Sequence, residues 1–222
     1  MPSDTIAFLD IDHTIIRRSS VRRFISTGVR MGALPLRSLL SLPFYYVQYR
    51  LGRMSADVGE RGFPELAGMS EQHLRLLARR SFDTRLKRDI FVEAEELIRV
   101  LRDRGCTVVL ATSSIDLIVQ PLATHLGVRH LLASALQFEA GICTGRFLSP
   151  PLLGDAKMRA AELFARQRGL ALTGCAGYSD SIYDLPLLEA VGRPVAVNPD
   201  PRLRSVARAR GWTSLRFERT VR

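Results

Sequence analysis

Ile6-Ala7-Phe8-Leu9-Asp10-Ile11-Asp12-His13-Thr14 is the stretch on which the reading of the whole chain turns. Four apolar residues in a row are too few for a core helix and read as a strand buried on both faces. Such a strand needs parallel neighbours on either side and helices above and below. Two carboxylates, Asp10 and Asp12, follow it directly. An N-capping aspartate in a strand-to-helix turn would account for one of them but not for both.

Similar runs recur along the chain. Cys106 to Ala111 is apolar and β-branched and ends at Thr112. Ala171 to Gly177 is read as a third strand, ending just before Asp180, and Pro194 to Val197 as a fourth, ending at Asn198. Helical patterns lie between them. Glu93 to Arg104 places Ala94, Leu97, Ile98 and Leu101 on one face and stops at Gly105. Ile115 to Leu126 is closed by Gly127, and Ala156 to Arg168 is capped by Asp155 and stopped by Gly169. Strands alternating with helices predict an α/β fold, a Rossmann-like, doubly wound parallel sheet. In such sheets the chemistry sits beyond the carboxyl ends of the strands, where Asp10, Thr112 and Asp180 all fall.

Residues 17–88 break the alternation. They read as helical, interrupted at Gly28, Gly32, Pro35, Pro43, Gly52, Gly62 and Pro64, and are too many for a plain connection. The expectation is a helical cap at 17–88, inserted after the first strand into a core made of 1–16 and 89–222. Phe138 to Phe147 reads as a small hairpin turning near Ala140-Gly141.

The chain has 222 residues, 46% of them hydrophobic, enough for a packed core. Its net charge is +10, carried by arginine except at Lys87 and Lys157. That balance suits an anionic substrate, an anionic lipid surface or nucleic acid, and equally suits a solvated arginine-rich surface with no partner. Cys106, Cys143 and Cys175 are far apart and form no CxxC pair, so buried free thiols are expected, in a reducing, cytoplasmic setting. Leu34 to Leu51 is apolar but broken by Pro35, Arg37, Pro43, Gln48 and Arg50, which argues against a span of about 20 residues and leaves contact with a membrane surface open.

Several residues carry candidate chemistry. A carboxylate such as Asp10 can attack phosphorus, and a second such as Asp12 can protonate the leaving oxygen and then activate water. Asp180 and Asp184 lie four apart after a strand, hard oxygen ligands of the kind Mg²⁺ takes, although a solvated turn would also read this way. Lys157 stands at the start of a helix in a chain that otherwise uses arginine, and a compact ammonium there can hold a phosphate oxygen and a carboxylate together. Thr112 and Ser113 offer a hydroxyl and backbone N–H groups at a helix start, a cap or an anion site. Lys87 reads as a surface lysine.

Taken in order, these residues resemble the haloacid dehalogenase superfamily of phosphotransferases. DxDx(T/V) is matched by Asp10, Asp12 and Thr14. The hydroxyl ending a strand is matched by Thr112, the lysine by Lys157, and the acidic pair by Asp180 and Asp184. The helical insertion, the 180–188 segment and Val195 to Asp200 are similar to the phosphoserine-phosphatase-like group. The resemblance implies a Mg²⁺-dependent phosphatase acting through an aspartyl phosphate on a small or amphiphilic organic phosphate. It implies Asp10 as nucleophile and metal ligand, and Asp12 as general acid/base that also ligates the metal through its carbonyl. Thr112, Ser113 and Lys157 would bind phosphate, Asp180 would ligate Mg²⁺, and Asp184 would support it.

Where phosphoserine phosphatases hold the substrate amine with an acid early in the cap, this chain has Arg17-Arg18-Ser19-Ser20-Val21-Arg22-Arg23 and no carboxylate. That favours a substrate body that is anionic or neutral. Two other readings follow from the charge. A cap with Arg17, Arg18, Arg22, Arg23, Arg30, Arg37, Arg50 and Arg53 beside Phe44, Tyr45, Tyr46 and Tyr49 could rest on an anionic membrane and serve a lipid phosphate. A nucleic-acid-binding protein with a vestigial core is opposed by the complete motif set, so no nucleic-acid partner is expected.

Overall fold

The computed structural model describes residues 5–39 and 62–221. Strand β1 (Ile6–Leu9) is fully buried, as its unbroken apolar run requires, and stands in the middle of a six-stranded parallel sheet. Beside it run β2 (Thr107–Ile115) on one side and β6 (Ala176–Ser179) on the other. β3 (His130–Ser134) lies outside β2, and β7 (Arg193–Val197) and β8 (Thr213–Leu215) lie outside β6, giving the order β3-β2-β1-β6-β7-β8. The chain winds outward from β1 in one direction and then in the other. The carboxyl end of β1 is therefore the switch point, where such sheets open a crevice.

Helices α3 (Val92–Asp103), α4 (Asp116–His125), α5 (Asp155–Arg166), α6 (Leu185–Ala190) and α7 (Pro201–Ala209) connect the strands. They are the Rossmann-like layers expected from the alternation. The hairpin is present as β4 (Leu136–Glu139) and β5 (Ile142–Phe147). Ala140 and Gly141 both have positive φ, +47° and +77°, as a two-residue turn with matching twist demands.

Three local expectations change. Leu172–Gly174 is a 3₁₀ turn, so the strand read at 171–177 starts later, at Ala176. Asp155 lies in the first turn of α5, and Gly154 is the capping residue, with φ +57° and ψ −124°. β2 runs on past Thr112 to Ile115, its register against β3 slipping between Ala111 and Ile115. Thr112 and Ser113 therefore sit in an irregular strand end, not at a helix N-terminus. β3 and β8 were not foreseen: His-Leu-Leu-Ala-Ser lacks β-branched residues, and three residues at a sheet edge leave little pattern.

Between β1 and α3 stand α1 (Ser20–Arg30) and α2 (Glu71–Thr84), helical as the sequence predicts. Phe24, Leu74, Leu77 and Phe82 on these helices belong to one hydrophobic cluster with Leu9, Leu110, Leu117 and Ile118 of the sheet and α4. Gly28 lets α1 approach Leu34, since a Cβ there would stand 2.6 Å from Leu34 Cδ1. No described helix is long and apolar enough to cross a membrane. Phe44, Tyr45, Tyr46, Tyr49, Arg50 and Arg53 lie outside the described residues. Cys143 and Cys175 are buried free thiols, whereas Cys106 is only half-buried because it precedes β2 at the rim of the sheet.

Candidate active site

The end of β1 delivers Asp10 to the crevice. Its N–H bonds the Tyr178 carbonyl of β6 at 2.9 Å, which carries the ladder one residue past the strand and leaves the residue 8% exposed. Across from it, α5 projects Lys157, 2% exposed. The Lys157 ammonium donates to Asp10 Oδ1 at 2.9 Å and to Asp184 Oδ2 at 2.8 Å. Asp184 in turn accepts from the Ser179 hydroxyl at 2.6 Å. A residue 147 positions from Asp10 thus closes a buried carboxylate–ammonium–carboxylate bridge.

Asp12 points elsewhere. Its Oδ1 accepts the N–H of Ser20 at 2.9 Å, one of the free donors at the start of α1. The Ser20 hydroxyl shares a hydrogen bond of 2.8 Å with Ser114 at the end of β2, so the same serine ties the inserted helix to the sheet. Thr112 is buried and its Oγ1 accepts the Ser114 N–H at 3.1 Å. Ser113 is half-buried, and its carbonyl accepts from the Ser134 hydroxyl at 2.9 Å. Lys87 is exposed, as expected.

Asp180 follows β6, on a loop fixed from the other side by Asp200. The Asp200 N–H donates to the Asp180 carbonyl at 2.8 Å. The Asp200 carboxylate accepts from Ile182 N–H at 2.8 Å and from Arg202 and Leu203 N–H at 2.8 and 2.9 Å. It caps α7 and holds the acidic loop together. Ser20 and Ser179, and the part Asp200 plays in holding the acidic loop, are what the motif reading missed. Only Asp200 left a local signal, an aspartate followed by proline at a helix start.

Charge is crowded here. Burial pushes the Asp10 carboxyl up to about 7, against the pull of Lys157 and with the push of Asp184 and Asp12. Burial raises Asp180 well above the carboxylate range, and Asp10 and Asp184 add to it. Burial also raises Asp12, while the Ser20 hydrogen bond works the other way. For Lys157, burial disfavours the ammonium, yet Asp10 and Asp184 outweigh it and the net effect is upward. Four carboxylates share one ammonium, a surplus of hard oxygen ligands that fits a divalent cation. Among the described residues no three His, Cys, Asp or Glu side chains form a ready cluster.

Asp89, in the turn after α2, is bound by arginines. Arg23 grips it with Nε at 2.5 Å and a second nitrogen at 2.7 Å, and Arg18 stands 3.9 Å away.

A family model for haloacid dehalogenase-like hydrolase matches residues 7–189. The chain is 35% identical over 221 residues to a probable phosphatase of Mycobacterium tuberculosis, covering 98% of this chain and 77% of that protein. It is 32% identical to a phosphoserine phosphatase of the same organism (93% of this chain, 68% of that protein). It is 26% identical to a histidinol-phosphatase of Neisseria meningitidis (96% and 99%). Among solved structures, a protein of unknown function from Bordetella pertussis Tohama I superposes with a TM-score of 0.85 at 28% identity, over 96% of this chain and 98% of that one. A substrate-bound phosphoserine phosphatase shares the fold at a TM-score of 0.71 and 16% identity, over 98% and 94%.

Proposed function

The chain belongs to the haloacid dehalogenase-like hydrolases and is a phosphatase of that family, and from that premise we propose that it hydrolyses a small or amphiphilic organic phosphate monoester through an aspartyl phosphate on Asp10. The observation that carries the reading is the buried bridge of Asp10, Lys157 and Asp184. A carboxylate oxygen held 2.9 Å from an ammonium stays oriented, and the same ammonium can hold an oxygen of the incoming phosphoryl group. Asp184 and the Ser179 hydroxyl keep Lys157 in place. Asp10 attacks phosphorus and the ester oxygen leaves. Asp12, whose carboxyl burial pushes up and whose orientation Ser20 fixes, gives that oxygen a proton. Asp12, now a carboxylate, then takes a proton from the water that attacks the acyl phosphate, and phosphate departs from Asp10.

Thr112 and Ser113, in the irregular end of the strand beside β1, are the proposed phosphate contacts together with Lys157. Asp10 and Asp180 through their carboxylates, and Asp12 through its carbonyl, would hold Mg²⁺, which when bound supplies positive charge to the phosphoryl oxygens. Residues 17–88 act as a cap that admits the substrate body. The relatives' names include enzymes for phosphoserine and for histidinol phosphate, both amines. Here Asp89 is bound to Arg23 and Arg18 and Arg22 are exposed, which favours an anionic or neutral body. Free thiols suit the cytoplasm.

The test is release of phosphate from an aryl phosphate and from a broad panel of esters with Mg²⁺ present. Turnover that Asp10→Asn reduces to background supports the reading; an inert wild type across the panel refutes it.

A further inference from the structure

Outside the active site, α1 and the end of α2 wall a groove of ≈ 810 Å³. Arg23 and Arg30 face it from α1, and Arg80, Arg85 and Arg88 from α2 and the turn after it. Arg23 is paired with Asp89. The other four have no carboxylate within 4.0 Å among the described residues, and Asp83, close by in sequence, is 3.2 Å from Arg79 instead. Arg85 is half-buried between guanidiniums: burial first, then Arg30 and Arg23, disfavour its charge, and Asp89 only partly offsets them.

Arg30 and Arg85 stand at helix C-termini, where the dipole favours cations. That term is about half a charge and fades within a turn, so it leaves Arg80, Arg88 and the crowding at Arg85 without an account. Solvated arginines are free to spread apart, yet these converge on one concavity. The planar guanidinium fork matches phosphate oxygens two at a time. Four forks without a carboxylate partner exceed what one phosphate group needs and suit several phosphates close together.

We propose that the arginine groove between α1 and the end of α2 binds an anion carrying two or more neighbouring phosphate groups, at a site apart from the catalytic one. The groove starts one turn along α1 from Ser20, the serine that holds Asp12, and contains none of Asp10, Asp12, Thr112, Lys157 or Asp180. The proposal does not depend on the catalytic reading.

Calorimetric titration of the full chain with tripolyphosphate tests it, beside flotation with phosphatidylcholine vesicles with and without phosphatidic acid. Arg30→Gln/Arg85→Gln is expected to weaken binding about tenfold or more and to flatten its salt dependence. Lys87→Gln, an equal loss of charge outside the groove for each substitution, is expected to change it by less than about twofold. Hydrolysis of an aryl phosphate should be the same in wild type and variants. A variant-sensitive signal with tripolyphosphate supports the site, and one confined to phosphatidic acid vesicles, whose headgroups carry a single phosphate each, overturns it. Binding in neither arm, or binding that Lys87→Gln weakens as much as the groove variant, overturns it. If the double variant is misfolded by circular dichroism, the exposed pair Arg80→Gln/Arg88→Gln carries the same expectation.

Discussion

Asp10 is governed by opposing forces, with burial the largest. Burial comes first, Asp184 and Asp12 add to it, Lys157 pulls the other way, and the balance leaves the carboxyl at about 7. A cation bound to that carboxylate displaces the proton. Mg²⁺ added to the metal-free protein at pH 7 should therefore release protons, and release fewer at pH 8.5, where Asp10 is already ionised. Titration calorimetry in two buffers of different ionisation enthalpy measures this directly. Stability follows with a definite sign. The raised carboxyl keeps its proton where an unfolded aspartate, with a pKa of about 3.9, has lost it. Its contribution is complete below about 4 and disappears as pH rises through about 7. The metal-free protein should thus unfold at lower urea concentration at pH 8 than at pH 5.5, and Mg²⁺ should narrow the gap. Proton release that is the same at both pH values would contradict the account of Asp10.

Among the elements, α5 matters most for the site, because its first turn aims Lys157. Gly154 starts it with φ +57° and ψ −124°, a conformation that a Cβ makes costly. Gly154→Ala should destabilise the fold by about 1–3 kcal/mol in urea unfolding. It should also raise KM for an aryl phosphate more than it lowers kcat, because the ammonium shifts from its two carboxylates. An unchanged KM would mean that Lys157 is positioned without this turn. The motif reading found Lys157 by its type, the one lysine among arginines at a helix start. It could not find Ser179 or Asp200, whose value lies in partners brought by other elements. Nor could it see that Thr112 lies inside an irregular strand end, since a register slip depends on the neighbouring strand, not on local composition.

For the whole molecule, the inserted helices and the sheet share one hydrophobic cluster, reaching from Phe24 to Leu110 and Leu117. Unfolding should then be a single transition, with far-ultraviolet and near-ultraviolet circular dichroism changing together. Phe24→Ala, at a fully buried position of α1, should cost about 3–5 kcal/mol and shift that one transition rather than create a second. Two resolved transitions would mean that the helices fold apart from the core.

The sequence by itself determined the α/β alternation, the strand that presents Asp10, and the identity of the charged residues around it. It could do so because buried strands and capped helices leave their signature in short local patterns. Only the tertiary structure decided what those residues touch. It gave Asp184 to Lys157, Asp12 to Ser20 and Asp200 to the acidic loop, and it set four arginines without carboxylate partners beside one another. Asp12 and Ser20 are 8 positions apart, Asp200 and Ile182 18, and Asp184 and Lys157 27, and each pair meets only because the chain between them folds back, which no local pattern records.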